Sequence, residues 1–215
     1  MSGRERAFVT RHTRLRPVPG LEEVRLHLAD EVLPLWRAVG EADGVGDPPL
    51  PYWAFAWVGG LAIGRYLRDH PEVVAGRRVL DFASGSGLCA IRATLSGAAG
   101  VHAADIDPYA VAAIGLNARA NRCSVSVTGH DLLAEPAPDV DVLLAGDCWY
   151  EAGLAARVQP WLEEAASRGI RVLAGDAGRR YLPLERLHEV ASYTVRTTTE
   201  LEDLALKRGH VFELR

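Results

Sequence analysis

The sequence predicts an α/β fold, a mostly parallel sheet with helices on both faces, and three observations predict it. First, residues 78–82 (RVLDF) form a short apolar run ending in an acid, followed by the small-residue turn 83–87 (ASGSG) and a helical pattern over 88–93. That order is strand, tight loop, helix, the unit that opens nucleotide-binding α/β domains. Second, apolar strand-like runs at 101–105, 124–128, 141–146 and 170–175 alternate with helical patterns at 108–121 and 152–167. Alternation of this kind builds a parallel sheet. Third, the tail changes character: residues 193–198 and 209–214 are short β-rich runs that can pair antiparallel across 200–208.

Taken in order, residues 1–16 are polar and arginine-rich without an apolar stretch, which reads as a solvated, disordered basic arm. Over 24–39 the period is mixed. Val24, Leu26 and Leu28 alternate like a strand, whereas Leu33, Leu35 and Trp36 suit the start of a short helix. Residues 40–51 are dense in Gly, Asp and Pro and form a loop. The aromatic segment PYWAFAWVGG at 51–60 then leads into a helix ending near His70. It serves equally as a hydrophobic plug over the sheet end or as an aromatic wall around a ligand, with Gly59 and Gly60 allowing close backbone approach. The organisation expected is an N-terminal arm and cap over 1–50 and a cofactor-binding domain over 51–215, in one compact unit.

The acids point to the site. Asp81, Asp105, Asp131 and Asp147 stand at the ends of four successive predicted strands, the edge at which open α/β sheets bind ligands. Asp107 followed by Pro108 is a helix start, with Asp107 as N-cap. Asp131 suits either an adenine amino group or an ordinary cap. The glycine loop also satisfies a dinucleotide fingerprint at Gly85, Gly87 and Ala90. A bound pyrophosphate would sit awkwardly beside the Asp81 carboxylate, whereas S-adenosylmethionine brings a cationic amino group and a sulfonium. The residues alone therefore favour the methyl donor over a nicotinamide or flavin dinucleotide and over a purely structural turn. Either cofactor would use Asp105, about twenty residues beyond the glycines, to hold a ribose diol.

Composition removes other classes. The chain has 215 residues, 48% hydrophobic, and a net charge of -4, which argues against a general nucleic-acid binder. Cys89, Cys123 and Cys148 have neither metal-ligand spacing nor a disulfide framework, and no uninterrupted apolar stretch is long enough for a membrane span. The expectation is a soluble cytoplasmic protein with no metal and no membrane partner.

With these motifs in place, the chain resembles the class I S-adenosylmethionine-dependent methyltransferases, and more narrowly family 16 and its lysine methyltransferases of the electron transfer flavoprotein β-subunit. The resemblance is carried by PYWAFAWVGG at 51–60, RRVLDFASGSG at 77–87, ADIDP at 104–108, GDCWYE at 146–151 and TTTELEDL at 197–204. It implies a Rossmann-like seven-stranded methyltransferase sheet, mostly parallel with an antiparallel C-terminal strand. For the cofactor it implies contacts from Trp57, Asp81, Ala83, Ser84, Gly85, Gly87, Asp105, Ile106 and Asp131. For the reaction it implies that Asp147 and Tyr150 face an incoming amine, with Trp53, Trp149 and Glu151 on the substrate side and a protein presenting a lysine as partner. Ala83 replaces the first loop glycine of most relatives, Ala177 replaces a proline, and residues 196–199 (RTTT) depart from Pro-Thr-Thr-Arg. Residues 105–121 also resemble the ribosomal-protein methyltransferases. A small-molecule N- or O-methyltransferase and a cofactor-binding protein without turnover are the other readings.

Overall fold

The computed structural model describes residues 3–196 and 206–214, which contain six α-helices and nine strands. The first unit is a cap. Helix α1 (Gly3–His12) precedes a two-stranded antiparallel hairpin, β1 (Arg14–Val18) and β2 (Leu21–Leu28), and then α2 (Val32–Asp43). The arginine-rich segment is therefore a helix rather than a solvated arm. Its cause is a small apolar face: Val9 is fully buried, Phe8 packs on the Tyr109 ring at 4.7 Å, and Arg4 pairs with Asp43 at 2.7 Å. Arg11 and His12 in its last turn also suit the negative end of the helix dipole. The mixed pattern over 24–39 resolves into both of its alternatives, a strand and then a helix.

The main unit begins with a 3₁₀ turn at Tyr52–Ala54 and α3 (Val58–Asp69), followed by β3 (Arg78–Phe82), α4 (Leu88–Leu95), β4 (Gly100–Ala104) and α5 (Pro108–Ala120). It continues through β5 (Ser126–Thr128), β6 (Val142–Gly146), α6 (Ala152–Ser167) and β7 (Arg171–Asp176) to β8 (Leu187–Arg196) and β9 (Leu206–Leu214). The seven-stranded sheet has the order β5-β4-β3-β6-β7-β9-β8. β3 to β7 are mutually parallel, β9 runs antiparallel to β7, and β8 runs antiparallel to β9. The expected tail pair is thus present, with β8 starting earlier than predicted. Residues 197–198 of that predicted strand, and the whole 197–204 motif, lie outside the described residues.

Strand order reverses beside β3. From β3 the chain steps out to β4 and β5, then returns to place β6 on the other side of β3, and a crevice opens above this switch. One sheet face packs against α6 through Leu143, Val158, Trp161 and Leu162, all buried. The other packs against α3 and α4 through Ile63, Leu67, Cys89 and Leu144. The β1–β2 hairpin lies on α3 and α4, joining Leu21 and Leu26 to Leu61 and Ile91. Among the described residues no helix is long and apolar enough to cross a membrane.

Two glycines set how closely α3 approaches the sheet. A Cβ on Gly59 would lie 2.1 Å from the Gly175 carbonyl oxygen, and one on Gly175 would lie 2.3 Å from the Gly59 carbonyl oxygen. Backbone touches backbone there, so no rotamer change relieves an added methyl. Gly175→Ala is expected to destabilise the protein by about 3 kcal/mol or more, because overpacking against fixed backbone is costly. Chemical denaturation of the purified variant measures it; an unchanged midpoint would show that α3 can lift from β7 freely.

Candidate active site

Each of the five parallel strands has an acid near its end or within the next three residues, and backbone N–H groups hold them. Asp81, the fourth residue of β3, is buried and accepts from the Ser84 hydroxyl at 2.5 Å and the Ala90 N–H at 2.9 Å. Asp105, just beyond β4, accepts from Gly85 N–H at 2.8 Å and Asp107 N–H at 3.0 Å. Asp131, beyond β5, accepts from Leu133 N–H at 3.1 Å and pairs with Arg157 at 2.6 Å, so its cap role is realised. Asp107 caps α5 by accepting from Tyr109 N–H at 2.7 Å.

Asp147 follows β6 and is the most constrained. One carboxylate oxygen accepts from Gly60 N–H at 2.8 Å, near the start of α3. The other is paired with Arg179, from the loop after β7. Its backbone is left-handed, with φ 59°, and so is that of Ala83, with φ 49°. Left-handed backbone costs a non-glycine residue on the order of 1 kcal/mol, and such strain tends to collect at functional sites. The Ala83 backbone is one that a glycine would adopt without that cost.

These side chains line one cavity of about 660 Å³, within the range that holds a nucleoside-sized ligand. Its wall includes Trp53, Trp57, Asp81, Ala83, Ser84, Gly85, Asp105, Ile106, Asp131, Asp147 and Tyr150. Tyr52 and Tyr150 pack at 4.9 Å and Tyr52 and Trp57 at 5.5 Å, forming an aromatic mouth next to Asp147. Three residues expected at the site stand elsewhere. Trp149 is fully buried in the core shared with α6. Glu151 is exposed at the start of α6, where its charge reaches Tyr52 and Tyr150 but its side chain does not line the cavity. Gly87 starts α4 at φ 82°, and a Cβ there would press on Ile114 at 3.3 Å. Sequence reasoning passed over Arg179 and Asp176; the latter obeys the same strand-end rule as the other acids.

Burial controls the charges. It pushes the Asp81 carboxyl up to about 7, against the lowering effect of the Ser84 and Ala90 hydrogen bonds, with Asp105 adding repulsion. Burial likewise raises Asp105 and Asp147, the latter opposed by Arg179. The Cys89 and Cys148 thiols are driven well above their ordinary value by burial and neighbouring carboxylates. They stay neutral and inert.

Known proteins now place the chain. An electron transfer flavoprotein β-subunit lysine methyltransferase of Xenopus laevis is 36% identical over 213 residues, covering 96% of this chain and 85% of the frog protein. The chain belongs to this methyltransferase family. The human member is 38% identical over 168 residues, and the match spans 64% of its length. The family model for ribosomal protein L11 methyltransferase matches residues 66–146. Two solved structures share the fold: ribosomal protein L11 methylase of Lactobacillus delbrueckii, with a TM-score of 0.52 at 19% identity over 71% of this chain and 77% of that one, and the magnesium protoporphyrin IX methyltransferase of Synechocystis with bound S-adenosylmethionine, with a TM-score of 0.52 at 15% identity over 71% and 76%.

This family member is thus an S-adenosylmethionine-dependent methyltransferase. Its cavity suits that cofactor in chemistry. Carboxylates from the strand ends, with Asp81 fully enclosed among them, offer partners for ammonium, sulfonium and ribose hydroxyls, while Ile106, Trp57 and Leu132 offer apolar surface. A cationic ligand favours ionised Asp81, so protonation of Asp81 competes with binding. Adenosylhomocysteine, which keeps the ammonium group, is expected to bind more weakly as pH falls below about 7, by up to about tenfold per unit. Asp81→Asn is expected to flatten the dependence. Calorimetric titrations at several pH values test this; a wild-type affinity independent of pH would remove Asp81 from cofactor recognition. The sign for stability is opposite. Between the ordinary carboxylate range and about 7 the folded protein retains a proton the unfolded chain has lost, so this group lowers stability as pH rises through that window.

Proposed function

We propose that the protein is a protein-lysine N-methyltransferase whose substrate is the β-subunit of electron transfer flavoprotein or a protein presenting lysine in similar surroundings. One observation carries the reading. Likeness to the frog lysine methyltransferase takes in 96% of the chain, whereas the ribosomal family model ends at residue 146, one short of Asp147. The family model takes in the glycine loop and Asp105, and two ribosomal protein L11 methyltransferases match 63% and 61% of the chain. The match to the lysine enzyme takes in nearly the whole chain, the acceptor side from Asp147 onward included.

In this reading Asp81 and Asp105 hold the cofactor's ammonium and ribose, Ala83, Ser84 and Gly85 pass close to its methionine end, and Ile106, Trp57 and Asp131 flank the adenosine. The cofactor supplies the electrophilic methyl group. This chain's residues present an amine lone pair in line with it, and positioning of that kind removes much of the barrier. A lysine of ordinary pKa about 10.4 must give up about 4–5 kcal/mol to be neutral at pH 7. Its aliphatic stem fits beside Tyr52 and Tyr150, and the loss of water there favours the neutral amine.

Asp147 docks and orients that amine. A carboxylate stabilises ammonium, so its role is direction rather than proton removal, which falls to water. Burial and the neighbouring charges push the Tyr150 phenol up to about 12, so it remains protonated at neutral pH and is a hydrogen-bond partner, not a base. Trp53 backs the mouth from the core.

Asp147→Asn is expected to lose most methyl transfer while adenosylhomocysteine affinity stays within a few-fold of wild type. Tyr150→Phe should lose about tenfold or less, the worth of one neutral hydrogen bond. Radiolabelled methyl-donor reactions on lysate, followed by intact-mass measurement of purified electron transfer flavoprotein, provide the assay. The protein acceptor should gain multiples of one methyl mass; label found only in small molecules or in ribosomal protein would refute the lysine reading of this substrate.

A further inference from the structure

Asp147 does not stand alone at the mouth of the cavity. Arg179 reaches it through one guanidinium nitrogen, and the same nitrogen lies 3.4 Å from Asp176. Asp176 is fully buried at the end of β7, and its other oxygen accepts from Gly178 N–H at 2.8 Å and Arg179 N–H at 2.7 Å. The loop carrying Arg179 is thereby tied to the carboxylate that its own side chain neutralises. Arg179 lines the cavity and its charge is felt by Tyr52 at the aromatic mouth.

We infer that Arg179 is a positioning residue for methyl transfer: bridging Asp176 and Asp147, it keeps Asp147 ionised and aimed, and it disfavours ammonium at the place where the acceptor nitrogen enters. Both effects have one physical source. A buried carboxylate beside a second carboxylate takes up a proton unless a cation offsets it, and a cation near an amine favours its neutral form. The remaining groups facing Asp147 do not supply that cation. Cys148 lies next to it in the chain, Cys89 reaches it from α4, Asp81 faces Cys148 from β3, Tyr150 and Tyr52 stand at the mouth, and Glu151 lies outside the cavity with its charge reaching both phenols. All of these are neutral or acidic. From α3 only backbone N–H meets the carboxylate.

The activity arm of the test rests on the protein-lysine reading, and the titration arm does not. Carboxyl NMR titration of cofactor-free protein labelled at aspartate should show Arg179→Gln holding one buried carboxyl proton to a pH higher by about one unit or more than wild type. In the methylation assay, the rise of kcat/KM with pH should move upward by a similar amount in Arg179→Gln, and Arg179→Lys should restore it. Asp176→Asn, whose amide oxygen can still accept from both loop N–H groups, should move it downward. Opposite shifts in the two variants are not what a merely structural role produces. Should Arg179→Gln fail to fold, the Asp176→Asn and Arg179→Lys profiles decide the matter. A wild type that labels no protein acceptor would sink the lysine reading while the titration still judges Arg179. Unshifted titrations, or profiles that fall at every pH without moving, would overturn the inference.

Discussion

Carboxylates removed from water at the carboxyl edge of a parallel sheet, and held there by backbone N–H groups, are the constraint on which the site depends. Asp81, Asp105, Asp147 and Asp176 each receive at least one such bond, from Ala90, from Gly85 and Asp107, from Gly60, and from Gly178 and Arg179 respectively. An unpaired ionised carboxylate in that setting would cost several kcal/mol. Each acid therefore fixes the loop or helix start that solvates it, and the cavity takes its shape from those bonds. Charge and architecture are the same problem here, solved at successive strand ends.

Close packing makes the solution possible. Gly60 can donate to Asp147 only because α3 lies directly on β7, and Gly59 and Gly175 permit that contact by having no side chains. The same approach leaves Asp147 in a left-handed conformation, which the surrounding bonds maintain. Beside it, Tyr52, Trp57 and Tyr150 form an aromatic collar next to a carboxylate already balanced by Arg179. Under the proposed lysine reading, such a site would direct an amine without presenting it with an unopposed negative charge.

The cap divides labour with the sheet. Helices α1 and α2 bury Trp53, Phe55 and Tyr109 against α5, while Tyr109 donates to Asp43 at 2.7 Å. The aromatic segment 51–60 is consequently both the plug and the wall that its composition allowed: Trp53 is core as well as cavity lining, and Trp57 faces the opening. Trp149 shows the limit of such reasoning. It sits between two cavity residues, Cys148 and Tyr150, yet points into the core with Val158 and Leu162.

By itself the sequence determined the alternation of strands and helices, the glycine turn, the acids at strand ends and the antiparallel tail. Those are local features: apolar period, backbone freedom and capping act between residues close in the chain. Its motifs also carried the family resemblance and the cofactor. Tertiary structure alone decided that the arginine-rich N-terminus is a helix, since Phe8 packs on Tyr109 and Val9 is buried in the same core cluster, with α5 about a hundred residues further along the chain. It alone joined Arg179 and Asp176 to Asp147, and sent Trp149 inward. Side-chain direction past a strand end depends on what the neighbouring strands bring alongside, and parallel neighbours are separated by whole crossover helices.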